Sequence, residues 1–444
     1  MNPPVLPPVV TGLRCAVCGE RVPISQPFSW TCPGSSASSP HLLRFERNLA
    51  PLRAVDDANP FVSFRRYLAW DAFAAACGLS VDERIDLIRS LDAAVESVDG
   101  SGFRWTPLQR SGALSDALGF SEHGGVWVKD DTRNVAGSHK ARHLMSIALH
   151  LLVAERQGMV SWAHESGRSP LAIASCGNAA LAASTLAAAM CWPISVFVPE
   201  RADGAVVDRL HQLGATVVRC PRRAEDPPGD PCVHRFREAV GAGAIPFAVQ
   251  GPENAWCHDG GRTIGWELAI QYELAQNDRS QPAMLDRLFV QVGGGALASC
   301  AWSGAADQGT VPVLHAVQAE GCAPLERSWR HALALDGGVA SAGTHWRECM
   351  WPWEQEPASA ADGILDDETY DWLPIVQAMA ASDGSPVVVP EALIVEAHAL
   401  ARSSTGIDVS PTGSAGLAGV LAMRHQIDPD ENIAVLFTGV QRHG

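Results

Sequence analysis

The chain has 444 residues, 47% of them hydrophobic and 18% charged, and a formal net charge of -16. That length suggests two or three domains rather than one core, and the balance is that of a globular chain, not a disordered one. So acidic a surface disfavours nucleic acid and anionic membranes as partners, and an anionic ligand must be held by local features.

Residues 1–45 form a zone of their own. It opens on a Pro-rich stretch without a basic n-region, so nothing there reads as a secretory signal. Cys15, Cys18 and Cys32 resemble half of a zinc ribbon plus one further ligand, and His41 is the candidate fourth. A closed zinc site takes four ligands; the alternative is a degenerate ribbon without metal. The segment has few Lys or Arg residues, which argues against nucleic acid. The twelve cysteines are spread along the chain, several in apolar runs (Cys176, Cys191, Cys300). They fit reduced thiols in a cytoplasmic enzyme better than a disulfide framework.

Residues 47–106 read as a mostly helical lead-in, with helical periodicity over 81–98. Thr106-Pro107-Leu108 reads as a turn or extended segment, since proline biases its predecessor away from helix. Strands and helices then alternate: strand 126–129, helix 140–155, strand 171–174, helix 178–189, strand 194–198, helix 205–213 and strand 215–219. A second series follows, with helix 260–274, strand 287–292, helix 297–304 and strand 315–320. Helices 391–403 and 413–423 and a last strand 433–437 complete it. This alternation implies βαβ units and a parallel sheet. The apolar stretch 179–198 is broken by Ser184, Thr185 and Pro193 and reads as a helix and a strand, not a membrane span. Residues 335–390, rich in Trp, Asp, Gly and Pro, read as an insertion.

Three glycine-containing segments carry the chemistry. Gly137-Ser138-His139-Lys140 places a lysine at a helix N-terminus, where the dipole favours the neutral amine that attacks an aldehyde. The plain alternative is a surface lysine. Ser175-Cys176-Gly177-Asn178 joins a strand to a helix, and its free N–H groups suit a substrate carboxylate; simple capping is the alternative. Gly293-Gly294-Gly295-Ala296-Leu297 links a strand to a helix as a phosphate cradle would. It does not follow the dinucleotide spacing G-x-G-x-x-G; a tight turn is the other alternative. A lysine amine, a carboxylate site and a phosphate cradle in this order point to pyridoxal phosphate.

In these motifs the chain resembles the fold-type II pyridoxal-phosphate enzymes, within the tryptophan synthase β-like superfamily. It is most similar to threonine synthase and the threonine (serine) dehydratases, over residues 104–440. The matching segments are Thr106-Pro107-Leu108, Lys129-Asp130-Asp131 leading to Gly137-Ser138-His139-Lys140, and Ser175 to Asn178. Gly293 to Leu297, Val317-Gln318-Ala319-Glu320-Gly321 and Thr438-Gly439 follow.

The resemblance implies an α/β enzyme of two domains, each a three-layer αβα open twisted sheet. Residues 46–136 with 263–444 would form the large cofactor-binding domain and 137–262 the smaller substrate domain, behind the degenerate zinc-ribbon-like segment 1–45. It implies that Lys140 carries the cofactor as a Schiff base and acts as the catalytic base. Gly293, Gly294, Gly295, Ala296 and Leu297 would hold the phosphate, Asn178 the ring hydroxyl and Thr438 the pyridine nitrogen. Ser175, Cys176, Gly177 and Asn178 would bind the substrate carboxylate. A homodimer is usual among such proteins.

The chain departs from the family in His139 for an aromatic residue, Ala141 for an acidic one, Cys176 for Thr and Ser410-Pro411 for Glu-Pro. A neutral hydroxyl such as Thr438 does not stabilise a protonated pyridine, which suits loss of a β-substituent over transamination. The expected reaction is therefore β-elimination from a small polar amino acid, or threonine synthase-like chemistry. β-Replacement with a second substrate and a non-catalytic scaffold are the alternatives. Arg133 and Arg142 are the cations available to a phosphorylated substrate.

Overall fold

The structure, a computed structural model, describes residues 9–36, 38–48, 52–277 and 283–442. Most of the Pro-rich start, residues 1–8, lies outside them. β1 (Val10–Cys15), β2 (Arg21–Pro23) and β3 (Leu43–Arg47) form a small antiparallel sheet with β1 in the middle. β4 (Leu108–Arg110) and β5 (Gly125–Asp130) come next. β6 (Leu171–Ala174), β7 (Ile194–Val198), β8 (Thr216–Arg219) and β9 (Ile245–Pro246) make a parallel sheet in the order β8-β7-β6-β9. β10 (Arg287–Gln291), β11 (Val313–Ala319), β12 (Ser385–Val389) and β13 (Asn432–Phe437) join β4 and β5 in a larger sheet. Its order is β12-β11-β10-β13-β5-β4, and only the edge pair β4–β5 is antiparallel.

The near-continuous apolar runs have a simple cause: both faces of each sheet are covered. Along β10, Leu288 and Val290 enter one core with Leu314, Ala316 and Leu436, while Phe289 enters another with Val317, Val435 and Phe437. In the smaller sheet Leu171 and Ile173 face the largest core, and Ala172 and Phe197 face a separate cluster. The result is the layered α/β architecture expected.

The stretch 335–390 is only in part an insertion. It contains the helix Trp372–Ala381 and β12, an edge strand of the larger sheet. Gly384 and Pro386 break the pattern there, and an edge strand tolerates proline because half its N–H groups need no ladder partner. The helix Pro231–Gly241 is a further element that the sequence pattern does not disclose. One helix, Cys257–Asn277, runs through position 262.

Three helices meet behind the cleft at glycine contacts. A Cβ on Gly260 would lie 1.9 Å from the Arg142 carbonyl oxygen, and one on Gly265 would lie 2.2 Å from that of Ala301. Cys257–Asn277 thus packs backbone to backbone on both Lys140–Arg156 and Ala296–Asp307. Among the described residues, no helix is long and apolar enough to cross a membrane.

Candidate active site

Lys140 is the first residue of its helix and is half-buried. The chain reaches it through two left-handed residues, Ala136 (φ 55°) and Gly137 (φ 64°). For alanine that conformation costs about 1–2 kcal/mol. It is pinned from both sides: the Ala136 N–H donates to Asp99 Oδ2 at 3.0 Å, and its carbonyl accepts from Arg442 at 2.7 Å.

The C-terminal strand is stitched to this loop. The His139 N–H donates to the Thr438 carbonyl at 3.2 Å, and the Val440 N–H donates to the Gly137 carbonyl at 2.9 Å. His139 is buried; loss of water and the nearby Lys140 charge hold its imidazole well below the usual range, so the ring is neutral.

Thr438 is buried just beyond β13. Gln291 Nε2, at the end of β10, lies 2.9 Å from the Gly413 carbonyl, 3.1 Å from that of Leu436 and 2.6 Å from Thr438 Oγ1. The two carbonyls only accept, which fixes the amide orientation. The amide nitrogen carries two protons for these three oxygens and no lone pair to accept with, so the Thr438 hydroxyl does not donate to it and keeps its own proton for another acceptor. Gln291 was legible in principle, as a polar side chain in an otherwise apolar strand.

Asn178 opens the helix Asn178–Ala189 directly after Gly177. Its Oδ1 accepts from Arg442 at 3.0 Å, and a Cβ on Gly439 would lie 2.9 Å from its Nδ2. Ser175 Oγ accepts the Gly177 N–H at 3.3 Å. Cys176 is open to solvent. Even so, the cleft walls strip water from its thiol and, with the carboxylates of Asp362, Asp230 and Asp366, push it up to about 11.

In the glycine loop, Gly295 (φ 98°) precedes the helix Ala296–Asp307, which Ala296 and Leu297 open. A Cβ on Gly293 would lie 2.3 Å from Asp366 Oδ2 and 2.8 Å from Ile364 Cα. The Asp366 carboxylate lies against the glycine loop; loss of water pushes its pKa up to about 6, against the pull of Lys140 and of the Gly294 N–H. Asp366 is absent from the residues expected at the site, because it lies in the stretch read as an insertion.

Beneath the lysine lies an ion network with no exposed side chain. Lys129 Nζ meets Glu267 Oε2 at 2.6 Å, Arg142 Nη1 meets Glu267 Oε1 at 2.5 Å, and Arg142 Nη2 lies 3.7 Å from Asp131. Arg142 is thus committed to the protein and is not free for a substrate phosphate. Arg133 is exposed and pairs with Asp130 at 3.4 Å. On the N-terminal sheet, the ligand atoms of Cys15, Cys18, Cys32 and His41 lie within 4.8 Å of one another.

The cleft fits pyridoxal phosphate. Ser138 Oγ and Asn134 Nδ2, in the loop that leads to Lys140, are buried with no hydrogen-bond partner among the described residues. The glycine loop already faces an acidic group, since Asp366 Oδ2 is the atom nearest to where a Cβ on Gly293 would stand. Thr438 has a hydroxyl proton to give.

The sequence profile of the family described as pyridoxal-phosphate dependent enzyme matches residues 82–439. No curated protein matches the chain. Among solved structures, it is similar to the threonine deaminase of T.th., with 23% identity, TM-score 0.57, and 80% of this chain and 99% of that one covered. Maize serine racemase has 17% identity and TM-score 0.57, with 80% and 94% covered. Diaminopropionate ammonia lyase from Escherichia coli has 15% identity and TM-score 0.58, with 81% and 88% covered. Identities this low carry the fold alone.

Proposed function

We propose, from the premise that this chain belongs to the family of pyridoxal-phosphate-dependent enzymes, that it is a lyase acting on a small polar amino acid. The reaction removes the Cα proton and expels the β-substituent, as a dehydratase or ammonia-lyase does. The observation that carries this reading is the Thr438 hydroxyl, held by Gln291 with its own proton free.

Pyridoxal phosphate, when bound, withdraws the electron pair left at Cα after deprotonation. Lys140 Nζ would hold the cofactor and would serve as the base that takes the substrate's Cα proton. The Gly293, Gly294 and Gly295 N–H groups and the N-terminus of Ala296–Asp307 hold the phosphate. Asn178 Nδ2 donates to the ring hydroxyl. Ser175 with the Gly177 and Asn178 N–H groups binds the substrate carboxylate and orients Cα–H toward Lys140. The Thr438 hydroxyl would donate to the ring nitrogen and so leave it unprotonated, an arrangement that favours expulsion of the β-substituent over reprotonation. The leaving group departs with the Cβ bond pair; water then releases ammonia and leaves a 2-oxo acid.

The test is a visible absorption titration of the cofactor-loaded protein with L-threonine, L-serine, 2,3-diaminopropionate, O-acetylserine and O-phosphohomoserine, with assays for 2-oxo acid and ammonia. One compound should shift the band and yield both products, and Lys140→Ala should abolish both responses. Racemised amino acid without 2-oxo acid, or product only when a second nucleophile is supplied, would overturn the lyase reading. A protein that takes up no cofactor would support the scaffold.

A further inference from the structure

We infer that Cys15, Cys18, Cys32 and His41 form a closed zinc site, and that its ion locks a strap of chain against the helix carrying Lys140. The ligands come from the end of β1, the turn after it, the strap, and the residues just before β3. Cys18 Sγ lies 3.6 Å from Cys32 Sγ, and His41 Nδ1 lies 3.4 Å from Cys32 Sγ. A tetrahedral zinc ion with ordinary bond lengths has edges of about 3.8 Å between sulfurs and about 3.6 Å between sulfur and nitrogen. Two edges thus already match such a site, and all four ligand atoms lie within 4.8 Å of one another. The sulfurs are far beyond the bonding distance of a disulfide, about 2.05 Å.

Three details fit a metal better than packing alone. The Val17 and Cys18 N–H groups point at Cys15 Sγ at 3.3 and 3.4 Å, as donors that stabilise a thiolate. The far nitrogen of His41, Nε2, lies 3.4 Å from Ser39 Oγ, which orients the ring and leaves Nδ1 toward the sulfurs. A Cβ on Gly34 would lie 3.3 Å from His41 Cε1, so a larger residue there would press on the ring of this ligand. Four protein ligands leave no open position, which makes the site structural rather than catalytic.

What the ion would hold is specific. Between β2 and β3, residues 24–36 and 38–42 contain no helix or strand, yet they dock on the catalytic half of the molecule. The Phe28 N–H donates to His150 Nε2 at 3.2 Å, and His150 belongs to the helix Lys140–Arg156. Trp256 Nε1 donates to the Ser29 carbonyl at 3.1 Å, and the Ala255 N–H donates to that of Trp30 at 2.9 Å. A strap without its own ladder gives up backbone entropy to keep these contacts, and a cross-link at Cys32, within it, lowers that cost. The zinc site joins Cys32 and His41 of the strap to Cys15 of β1 and Cys18 of the turn after it.

Metal analysis of the full-length, reduced protein should find one zinc per chain. Cobalt(II) in its place should give the visible bands of a tetrahedral thiolate site. Cys18→Ser and His41→Ala should each weaken zinc binding at least tenfold. Removing the ion with a chelator should speed amide hydrogen exchange at Phe28 and Trp30 at least tenfold and leave β10 and β13 unchanged. If Cys18→Ser does not fold, the cobalt spectrum and chelator experiment on the native chain decide. No zinc and no cobalt bands at equimolar metal would overturn the site, as would unchanged zinc content in a Cys18→Ser/His41→Ala double variant. A bound ion whose removal leaves strap exchange unchanged would overturn its role.

Discussion

Asp366 is the side chain with the most direct hold on cofactor loading. Its carboxylate lies against the glycine loop where a phosphate would sit, within electrostatic reach of Lys140 and the Gly294 N–H. Two anions on one loop repel, so an incoming phosphate must displace or neutralise this one. Asp366→Asn keeps the shape and removes the charge. Apo-protein carrying it should bind pyridoxal phosphate about tenfold more tightly at pH 8, about 1.4 kcal/mol. The sign with pH follows from the raised pKa: below about 6 the native carboxyl is neutral, so the advantage of the variant should shrink there. Titration of cofactor absorbance at pH 8 and pH 5.5 checks both. Weaker binding by the variant would mean that Asp366 supports Lys140 instead of competing with its partner.

At the scale of elements, the relative position of lysine and phosphate loop is set by glycines in the helix between them. A Cβ on Gly265 would come within 2.2 Å of the Ala301 carbonyl oxygen, so Gly265→Ala must push Ala296–Asp307, and the glycine loop with it, away. Overpacking of this kind costs about 1–3 kcal/mol, which urea unfolding of the full chain would read; cofactor affinity should fall with it. Gly241, where a Cβ meets nothing within 4 Å, is the control, and Gly241→Ala should change neither.

Such contacts mark the limit of what the sequence discloses. The alternation from 126 to 219 was legible because strands buried on both faces leave uninterrupted apolar runs. The lysine, Asn178, glycine-loop and Thr438 segments were legible because each combines glycine or a small polar residue with an element end. β12 was hidden by the proline that its edge position tolerates. Asp366 was hidden because its contact with Gly294 spans a stretch with no period to read. Arg142 looked like a free cation; only the fold shows that Glu267 and Asp131 hold it.

For the molecule as a whole, burial of histidine sets a limit on acid tolerance. His143 and His150 are fully buried, and loss of water lowers each to about 3; His139 is lowered as well. All three lie on or beside the helix Lys140–Arg156. In the unfolded chain each would titrate near about 6.5. Their folded values are depressed bases, so their full contribution is present above pH 6.5 and is lost as pH falls toward 3. By pH 5 His143 and His150 each remove about 2 kcal/mol, while Asp366, whose raised pKa acts in the opposite direction, returns part of it. His150 isolates the effect, since burial alone shifts it and its Nε2 only accepts the Phe28 N–H. In His150→Gln the amide oxygen can keep that hydrogen bond without titrating. The variant loses the ring contacts with Phe73 and Trp256, at 4.2 and 4.0 Å between centroids, so at pH 7.5 it should be the less stable protein. Between pH 7.5 and pH 5 the native chain should lose about 2 kcal/mol more than the variant, read as the change in their difference in urea stability. An unchanged difference would mean that His150 already takes its proton in the folded state, with the strap lifting from the lysine helix to let water reach the ring.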